Sequence, residues 1–308
     1  MVVLDGGLAT ALEGRGHTLG SALWSAQLLM EDPEAIREVH LAYLHAGADC
    51  ITSSSYQASF EGFADVGLTE EEAASVLRRS SHIALSARDE FMRGIGSGTG
   101  RPAPLVAASV GPYGAYLADG SEYNGRYGIN TATLAGFHRR RLGVLATTGV
   151  DVIACETIPR LDEVEILLDI LEEHPSTFAW VSVSCRDGQS LSDGSSFEHV
   201  VRLCSGRPQV AAVGVNCTEP RYLAELMARA SEITDLPLIA YPNSGESYDA
   251  ENKDWVGRAA GAEWLSAVCD SLRAGACVVG GCCRIGPESI EELRRVVEGR
   301  HWMLGVSE

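Results

Sequence analysis

The sequence contains no apolar run of about 20 residues, the length that crosses a membrane. Its first residues, Met1 to Asp5, are typical of a strand, and they carry neither a basic stretch nor a cleavage site. No signal peptide is therefore expected. We predict a protein of the cytoplasm that does not associate with membranes.

Positive charge is also scarce. The chain has 24 basic and 42 acidic side chains, which give a net charge of −18. A surface of this sign repels nucleic-acid backbones, so we expect no nucleic-acid partner. It would mildly attract a cationic substrate, although such a charge also serves simply to keep a protein soluble. Nothing in the sequence indicates an obligate protein partner.

The cysteines show no C-x2-C pair, and their number, nine, is odd. In a reducing compartment, cysteines in apolar runs are small core residues rather than disulfide partners. Six cysteines fit this interpretation: Cys50, Cys155, Cys185, Cys204, Cys269 and Cys277. The other three, Cys217, Cys282 and Cys283, need a separate explanation.

Eight short, continuously apolar runs alternate with helical patterns, as expected for parallel strands buried on both faces. The predicted strands are Val2–Asp5, Asp49–Tyr56, Pro104–Gly111, Asp151–Glu156, Phe178–Ser184, Ala211–Cys217, Leu236–Pro242 and Ala276–Cys282. Eight such units predict an α/β fold, a single (β/α)8 TIM barrel over residues 1–308. An open doubly wound sheet is the alternative, but no dinucleotide fingerprint follows the first strand.

Several helix signals lie between the strands. Asp32-Pro33 predicts a helix start, and Thr69 with Glu72 forms a capping-box pattern. The glycine-rich stretch Gly94–Gly100 follows a helix and precedes a strand, so we interpret it as a connector at the N-terminal face of the barrel. The basic run Arg139–Arg141 is interpreted as a solvated helix face.

Active sites of this fold lie at the carboxyl ends of the strands. Asp5 ends the first predicted strand and Glu156 the fourth, while Cys217 ends the sixth. Cys282 and Cys283 close the eighth. Three thiols and two carboxylates are thus expected at one mouth of the barrel.

Three thiolates suit a borderline-soft metal, for which zinc is the first choice. Three protein ligands and an open position describe a catalytic site rather than a structural one. Adjacent strand residues face opposite sides, but Gly280-Gly281 could let the backbone turn so that both Cys282 and Cys283 reach one ion. Buried apolar cysteines, a vicinal redox pair and a purely structural zinc are the alternatives.

A zinc ion held by three thiolates has a net charge of −1 and is a poor activator of water. It suits the binding of a fourth sulfur as a thiolate nucleophile, which indicates alkyl transfer to sulfur. Asp5 and Glu156 could hold an α-ammonium group, and backbone N–H groups near Ser53 and Ser54 could hold an α-carboxylate. A turn residue and a strand-end salt bridge are the alternatives for the two carboxylates.

These residues stand in motifs that resemble the homocysteine S-methyltransferases over nearly the whole chain, especially the branch that uses S-methylmethionine. The motifs are Asp5-Gly6-Gly7-Leu8-Ala9-Thr10, Ile51-Thr52-Ser53-Ser54-Ser55-Tyr56, Ser109-Val110-Gly111-Pro112-Tyr113, Cys155-Glu156-Thr157, Gly214-Val215-Asn216-Cys217, Tyr241-Pro242-Asn243-Ser244 and Gly280-Gly281-Cys282-Cys283. Departures are small: Gly7 replaces a common alanine, and Ala11 stands where close relatives carry glutamate.

The resemblance implies a zinc-bearing barrel in which Cys217, Cys282 and Cys283 bind the metal and Asp5 and Glu156 bind homocysteine. By analogy with cobalamin-dependent relatives, it also implies that Asn243 caps the zinc when no substrate is bound. In the implied mechanism the homocysteine sulfur becomes the fourth zinc ligand and attacks the donor methyl group, giving methionine.

The methyl donor is the remaining part of the prediction. The loop after strand three offers a set of aromatic and acidic side chains suited to a sulfonium: Tyr113, Tyr116, Asp119, Glu122 and Tyr123. Packing of the tyrosines against the barrel is the alternative. We expect S-methylmethionine as first donor and S-adenosylmethionine as a slower one. A non-catalytic redox or metal-sensing protein using Cys282-Cys283 is the alternative function.

Overall fold

Eight parallel strands form a near-closed barrel in the computed structural model, which describes residues 1–17, 25–95, 101–249, 254–257 and 261–299. The barrel strands are β1 (Val2–Val3), β2 (Cys50–Thr52), β3 (Leu105–Val110), β4 (Val152–Ile158), β5 (Ala179–Val183), β6 (Val210–Asn216), β7 (Leu238–Tyr241) and β10 (Ala276–Val279). A separate antiparallel hairpin consists of β8 (Ser247–Asp249) and β9 (Asp254–Val256).

Helices follow the strands along the chain. Their bounds are α1 (Leu8–Glu13), α2 (Ser25–Glu31), α3 (Pro33–Ala46), α4 (Phe60–Asp65), α5 (Glu70–Ile95), α6 (Tyr113–Leu117), α7 (Thr131–Leu145), α8 (Leu161–Glu172), α9 (Phe197–Ser205), α10 (Leu223–Ser231), α11 (Gly261–Arg273) and α12 (Pro287–Gly299). Among the described residues, no helix has the length and apolar character needed to span a bilayer.

The strand order is β1-β10-β7-β6-β5-β4-β3-β2, and the ladder returns from β2 to β1. A parallel bridge joins Leu4 to Cys50, and the Asp49 N–H donates to the Val3 carbonyl at 2.6 Å. Each strand therefore pairs with its neighbours in sequence, the order of a TIM barrel. The predicted barrel is confirmed.

Two predicted strands run well past the carboxyl ends of the observed ones, and both end at the functional mouth. The strand predicted over Asp49–Tyr56 ends at Thr52, and the strand predicted over Ala276–Cys282 ends at Val279. The residues beyond are buried turns. An apolar or small-residue run does not distinguish a buried strand from a buried loop that continues it.

The helix starts follow local capping chemistry. The Asp32 carboxylate accepts from the Ala35 N–H at 3.2 Å, and α3 stops at Gly47, whose φ of +107° suits glycine. Thr69 and Glu72 form the predicted reciprocal capping box. Of the predicted connector Gly94–Gly100, residues 96–100 lie outside the described residues.

The interpretation of Arg139–Arg141 as a solvated face is wrong for its last member. Arg141 is fully buried, and its guanidinium donates to the carbonyls of Gly111, Ser55 and Tyr56 at 2.8–3.1 Å. It shares the inner face of α7 with Phe137, one turn earlier, and the guanidinium stacks on that ring. Arg141 thereby fixes the turns that follow β2 and β3 at the mouth of the barrel.

Packing has left one histidine of α3 buried without hydrogen-bond partners. His40 is fully buried, and neither ring nitrogen has a partner among the described residues. Burial lowers the pKa of His40 from its ordinary 6.5 to about 4. Between pH 6.5 and about pH 4, His40 binds a proton in the unfolded chain but not in the folded chain. The free energy of unfolding therefore decreases as the pH falls through this range.

We expect His40→Leu to reduce the acid sensitivity of the fold. Between pH 7.5 and pH 5 the parent should lose about 2 kcal/mol more free energy of unfolding than the variant. Urea unfolding at both pH values measures the difference. His82→Gln, at an exposed position of α5, is the control and should behave like the parent. A difference between parent and His40→Leu that does not change with pH would contradict the assignment.

Candidate metal centre and substrate cavity

A single cavity opens at the carboxyl ends of the strands, and seven of the eight site residues predicted from the sequence line it. They are Asp5, Ser53, Ser54, Glu156, Cys217, Cys282 and Cys283. The eighth, Asn243, is buried but is not among the lining residues, and its side-chain oxygen accepts from the Gly245 N–H at 2.9 Å. The Asn243 side chain thus stabilises the turn after β7 in which it lies.

The three predicted thiols form one cluster at the bottom of this cavity. The sulfur atoms of Cys217, Cys282 and Cys283 all lie within 4.8 Å of one another, and those of Cys217 and Cys283 are 3.6 Å apart. All three are free cysteines. Thiolates bound to one tetrahedral zinc at about 2.3 Å lie about 3.8 Å from each other. The cluster therefore fits a single metal ion with one position left for a further ligand.

Unusual backbone conformations aim the thiols. Cys217 follows the last residue of β6 and has a φ of +46°, which side-chain-bearing residues rarely adopt. Thr157, at the end of β4, and Arg284, directly after the cysteine pair, also have positive φ values, of 60° and 68°. Strain of this kind collects at functional sites, where the surrounding structure must hold it.

Cys282 and Cys283 reach the same side because they lie in the turn after β10 rather than in the strand. The two preceding glycines make that turn possible by close packing. A β-carbon on Gly280 would lie 2.6 Å from the Leu4 side chain, and one on Gly281 would lie 2.2 Å from Ile285. Gly280 and Gly281 are thus required because no side chain would fit at these positions. The sequence analysis had instead expected glycine for its conformational freedom.

The pKa values of the three thiols are shifted in different directions. Hydrogen bonds from the Cys217 and Cys282 thiols hold the pKa of Cys283 well below its usual range. The pKa of Cys217 is raised, because its thiol is hydrogen-bonded to both partners and is buried. A metal ion bound by the three sulfurs would replace the thiol protons.

The amide side chain of Asn216 contacts the thiol cluster. Asn216 is fully buried at the end of β6, its Oδ1 accepts from the Thr157 N–H, and its Nδ2 donates to Thr157 Oγ1, both at 2.7 Å. The same Nδ2 lies 3.6 Å from the sulfur of Cys282. Asn216 thus ties the ends of β4 and β6 together and donates toward a thiol. Sequence analysis noted it only as part of a motif.

Two carboxylates stand beside the thiols. Asp5 accepts from the Thr52 N–H at 2.7 Å and from the Thr52 hydroxyl. Burial raises the pKa of Asp5 well above its ordinary value, and the nearby Glu156 adds to the increase. Burial also raises the pKa of Glu156 to about 7, with a further contribution from Cys282. Both groups favour a cationic partner.

Glu156 is oriented by a network that sequence analysis missed. The Ser109 hydroxyl donates to its Oε1, and the Tyr241 hydroxyl donates to its Oε2 at 3.0 Å. Tyr241 is held in turn by the Trp180 indole at 3.0 Å and by Ser182 at 2.6 Å. Polar residues inside otherwise apolar strands were the available signal, because a buried hydroxyl in a barrel needs a partner.

The serines after β2 differ in their free hydrogen-bonding capacity. The Ser53 N–H already donates to the Ala107 carbonyl at 2.8 Å, and its hydroxyl pairs with Ser55. The hydroxyl of Ser54 is buried and has no hydrogen-bond partner among the described residues. A buried, unpaired hydroxyl that lines a cavity is available to a ligand.

Comparison with known proteins agrees with this geometry. The family model of homocysteine S-methyltransferase matches residues 2–297. The homocysteine S-methyltransferase YbgG of Bacillus subtilis is 46% identical over 293 residues, which cover 95% of this chain and 93% of that protein. The chain belongs to the homocysteine S-methyltransferase family.

Solved structures extend the likeness to the whole fold. The metallated form of the homocysteine methyltransferase MmuM from Escherichia coli matches with a TM-score of 0.85 and 40% identity, and 96% of each chain is covered. Its oxidized form matches with a TM-score of 0.87 and 41% identity over the same shares. The predicted enzyme, which makes methionine from homocysteine and a methyl donor, is confirmed, and the three thiols are consistent with its zinc site.

We expect replacement of any one of Cys217, Cys282 and Cys283 by serine to remove both bound metal and activity while the barrel stays folded, because two thiolates hold the ion much less tightly than three. Metal content by mass spectrometry and circular dichroism measure the two effects. Cys277→Ser, on β10 of the same barrel, is the matched control and should retain metal. Normal metal content in any of the three variants would remove that residue from the ligand set.

Proposed function

We propose that the enzyme is zinc-dependent, that Cys217, Cys282 and Cys283 bind the ion, and that the methyl donor is a sulfonium. The observation that carries the proposal is the cluster of three free thiols with spacing that suits one tetrahedral ion. When bound, zinc would supply a site where the homocysteine sulfur is held as a thiolate at neutral pH. Asn216, by donating toward Cys282, would help to hold the metal-binding geometry.

The homocysteine ammonium group is proposed to lie between Asp5 and Glu156. These two buried carboxylates disfavour each other's charge, and a cation between them removes that conflict. Thr52 holds Asp5, while Ser109 and Tyr241 hold Glu156, so neither carboxylate has to be ordered when the substrate enters. Preformed contacts of this kind lower the entropic cost of binding.

The homocysteine carboxylate is proposed to lie near Ser53 and Ser54. Support comes from the Ser54 hydroxyl, which is buried, unpaired among the described residues and part of the cavity wall. Because the Ser53 N–H is used by β3, Ser54 is the main donor in this proposal. Asn243 is retained only as a support of the turn after β7, since its side chain lies outside the cavity wall.

The transfer itself needs little from the protein beyond alignment. The homocysteine thiol releases its proton to solvent on binding, and the thiolate sulfur attacks the donor's methyl carbon in line. The bond between that carbon and the donor sulfur breaks, and its electron pair stays on the donor sulfur, which becomes a neutral thioether. Holding the two partners at reacting distance supplies much of the rate enhancement. With S-methylmethionine as donor, both products are methionine.

A sulfonium donor suits the charge of the cavity. Asp5, Glu122 and Glu156 line it together with the thiols, and the rings of Tyr56 and Tyr123 form part of its wall. Carboxylates and aromatic faces both stabilise a cation. Two of the tyrosines proposed from the sequence have another role, because Tyr113 and Tyr116 pack against each other and against Phe137. We propose S-methylmethionine as the preferred donor and S-adenosylmethionine as the slower one.

We expect Asp5→Asn and Glu156→Gln to raise the KM for homocysteine while zinc content stays normal. Removing one partner from a buried charge contact costs roughly 2–5 kcal/mol. Steady-state kinetics with saturating S-methylmethionine measure the effect. Glu13→Gln is the matched control, because Glu13 lies at the exposed edge of the same cavity. If both variants bind homocysteine as the parent does, these carboxylates are not the ammonium site.

A further inference from the structure

One carboxylate in the cavity has no part in the proposed contacts to homocysteine. Glu122 belongs to the short 3-10 helix Ser121–Tyr123, lines the cavity and is only 4% exposed. Its Oε2 has no hydrogen-bond partner in the described part of the chain, and no lysine, arginine or histidine is among the residues that line the cavity. A buried carboxylate without a cation is costly, so such a group indicates a missing positive partner.

The fold, and not a ligand, fixes the position of Glu122. A β-carbon on Gly114 would lie 2.3 Å from the Glu122 nitrogen, so α6 packs directly against this backbone. The Asp119 carboxylate accepts from the Ser121 N–H at 2.9 Å, and the Gly125 N–H donates to the Ser121 carbonyl at 2.7 Å. The carboxylate is therefore held in the cavity before any substrate arrives.

The neighbours of Glu122 in the cavity wall are aromatic. Tyr123 follows it in the same 3-10 helix, and Tyr56 and Tyr123 line the cavity together with Glu122, Cys217 and Cys283. The ring of Tyr56 packs against the start of this loop, since a β-carbon on Gly111 would lie 2.6 Å from it. Glu122, two phenols and the thiols therefore share one cavity.

The acceptor carboxylates are held by other residues. Thr52 donates to Asp5, and Ser109 and Tyr241 donate to Glu156. Glu122 belongs instead to the loop after β3, so the cavity holds a second acidic group separate from this pair. A reaction with two cationic substrates, an amino-acid acceptor and a sulfonium donor, needs two such groups.

We propose that Glu122, together with the rings of Tyr56 and Tyr123, forms the subsite that binds the positive centre of the methyl donor. This inference rests on the proposed sulfonium donor. The carboxylate attracts the cation and the aromatic faces replace part of its hydration. Once the methyl group leaves, the donor product is neutral, the attraction disappears and release is favoured. Glu122 is accordingly a specificity-determining residue for charged donors.

Steady-state kinetics should distinguish a role of Glu122 in donor binding from a general loss of structure. Because the donor's charge is being lost in the transition state, Glu122 stabilises the bound donor more than the transition state. Glu122→Gln should therefore raise the donor KM by about 30-fold or more, the size of one buried charge contact, and leave kcat within about threefold. Zinc content and the KM for homocysteine should not change. Glu122→Asp, which keeps the charge, should recover part of the affinity.

A matched control lies three residues earlier on the same loop. Asp119 was a donor candidate in the sequence analysis, but it is exposed and is not among the residues that line the cavity. Asp119→Asn can still accept from the Ser121 N–H, so its donor KM should stay close to that of the parent. A parental donor KM in Glu122→Gln, with sulfonium turnover intact in the parent, would overturn the subsite and leave the proposed function standing. A parent enzyme that makes no methionine from any sulfonium would overturn both.

The proposed subsite can also be tested without any substitution, by comparing two ligands of the unmodified zinc enzyme. Homoleucine carries a neutral carbon branch where S-methylmethionine carries its dimethylsulfonium, and the two molecules otherwise share their shape. In calorimetry without homocysteine, S-methylmethionine should bind about 30-fold or more tightly than homoleucine. Equal affinities would overturn the proposal, because a subsite built on Glu122 must distinguish the charge.

Discussion

Buried acidic groups that have no matching cation among the described residues lining the cavity govern this active site. Three thiols and the carboxylates of Asp5, Glu122 and Glu156 line this one cavity. Burial and neighbouring groups of the same sign raise the cost of ionising them, which the raised pKa of Asp5 expresses. Each cation that the reaction requires lowers this cost: the metal ion, the acceptor ammonium and the donor sulfonium. Affinity for positively charged partners is thus built into the fold.

The barrel makes this concentration of acidic groups possible because the residues that stabilise the fold and the residues that react lie in different parts of it. Apolar side chains such as Ala107, Ala154 and Ile239 fill the interior below the cavity. The polar groups that line the cavity lie at or near the strand ends, and buried donors hold the two acceptor carboxylates, Thr52 on Asp5 and Tyr241 on Glu156. A fully buried arginine, Arg141, holds the neighbouring turns through three carbonyls. The reacting groups therefore need little rearrangement during turnover.

Much of this could be predicted from the sequence, because eight apolar runs and the residues at their ends are local patterns. The cavity unites seven of eight predicted site residues, which lie as far apart in the chain as Asp5 and Cys283. The sequence could not show that both Cys282 and Cys283 leave the strand, nor that Cys217 adopts a positive φ, since both depend on packing against other strands. Arg141 was misplaced for a related reason: a basic run does not reveal which way one side chain points.

The proposed chemistry depends on zinc that is held by three cysteines, with one position left for the homocysteine sulfur. Zinc K-edge X-ray absorption of the purified enzyme, with and without homocysteine, measures the sulfur ligands of the ion. We expect three sulfur ligands and one lighter atom without homocysteine, and four sulfurs at about 2.3 Å with it. If the sulfur count of the active enzyme does not change when homocysteine is added, the homocysteine sulfur is not a zinc ligand.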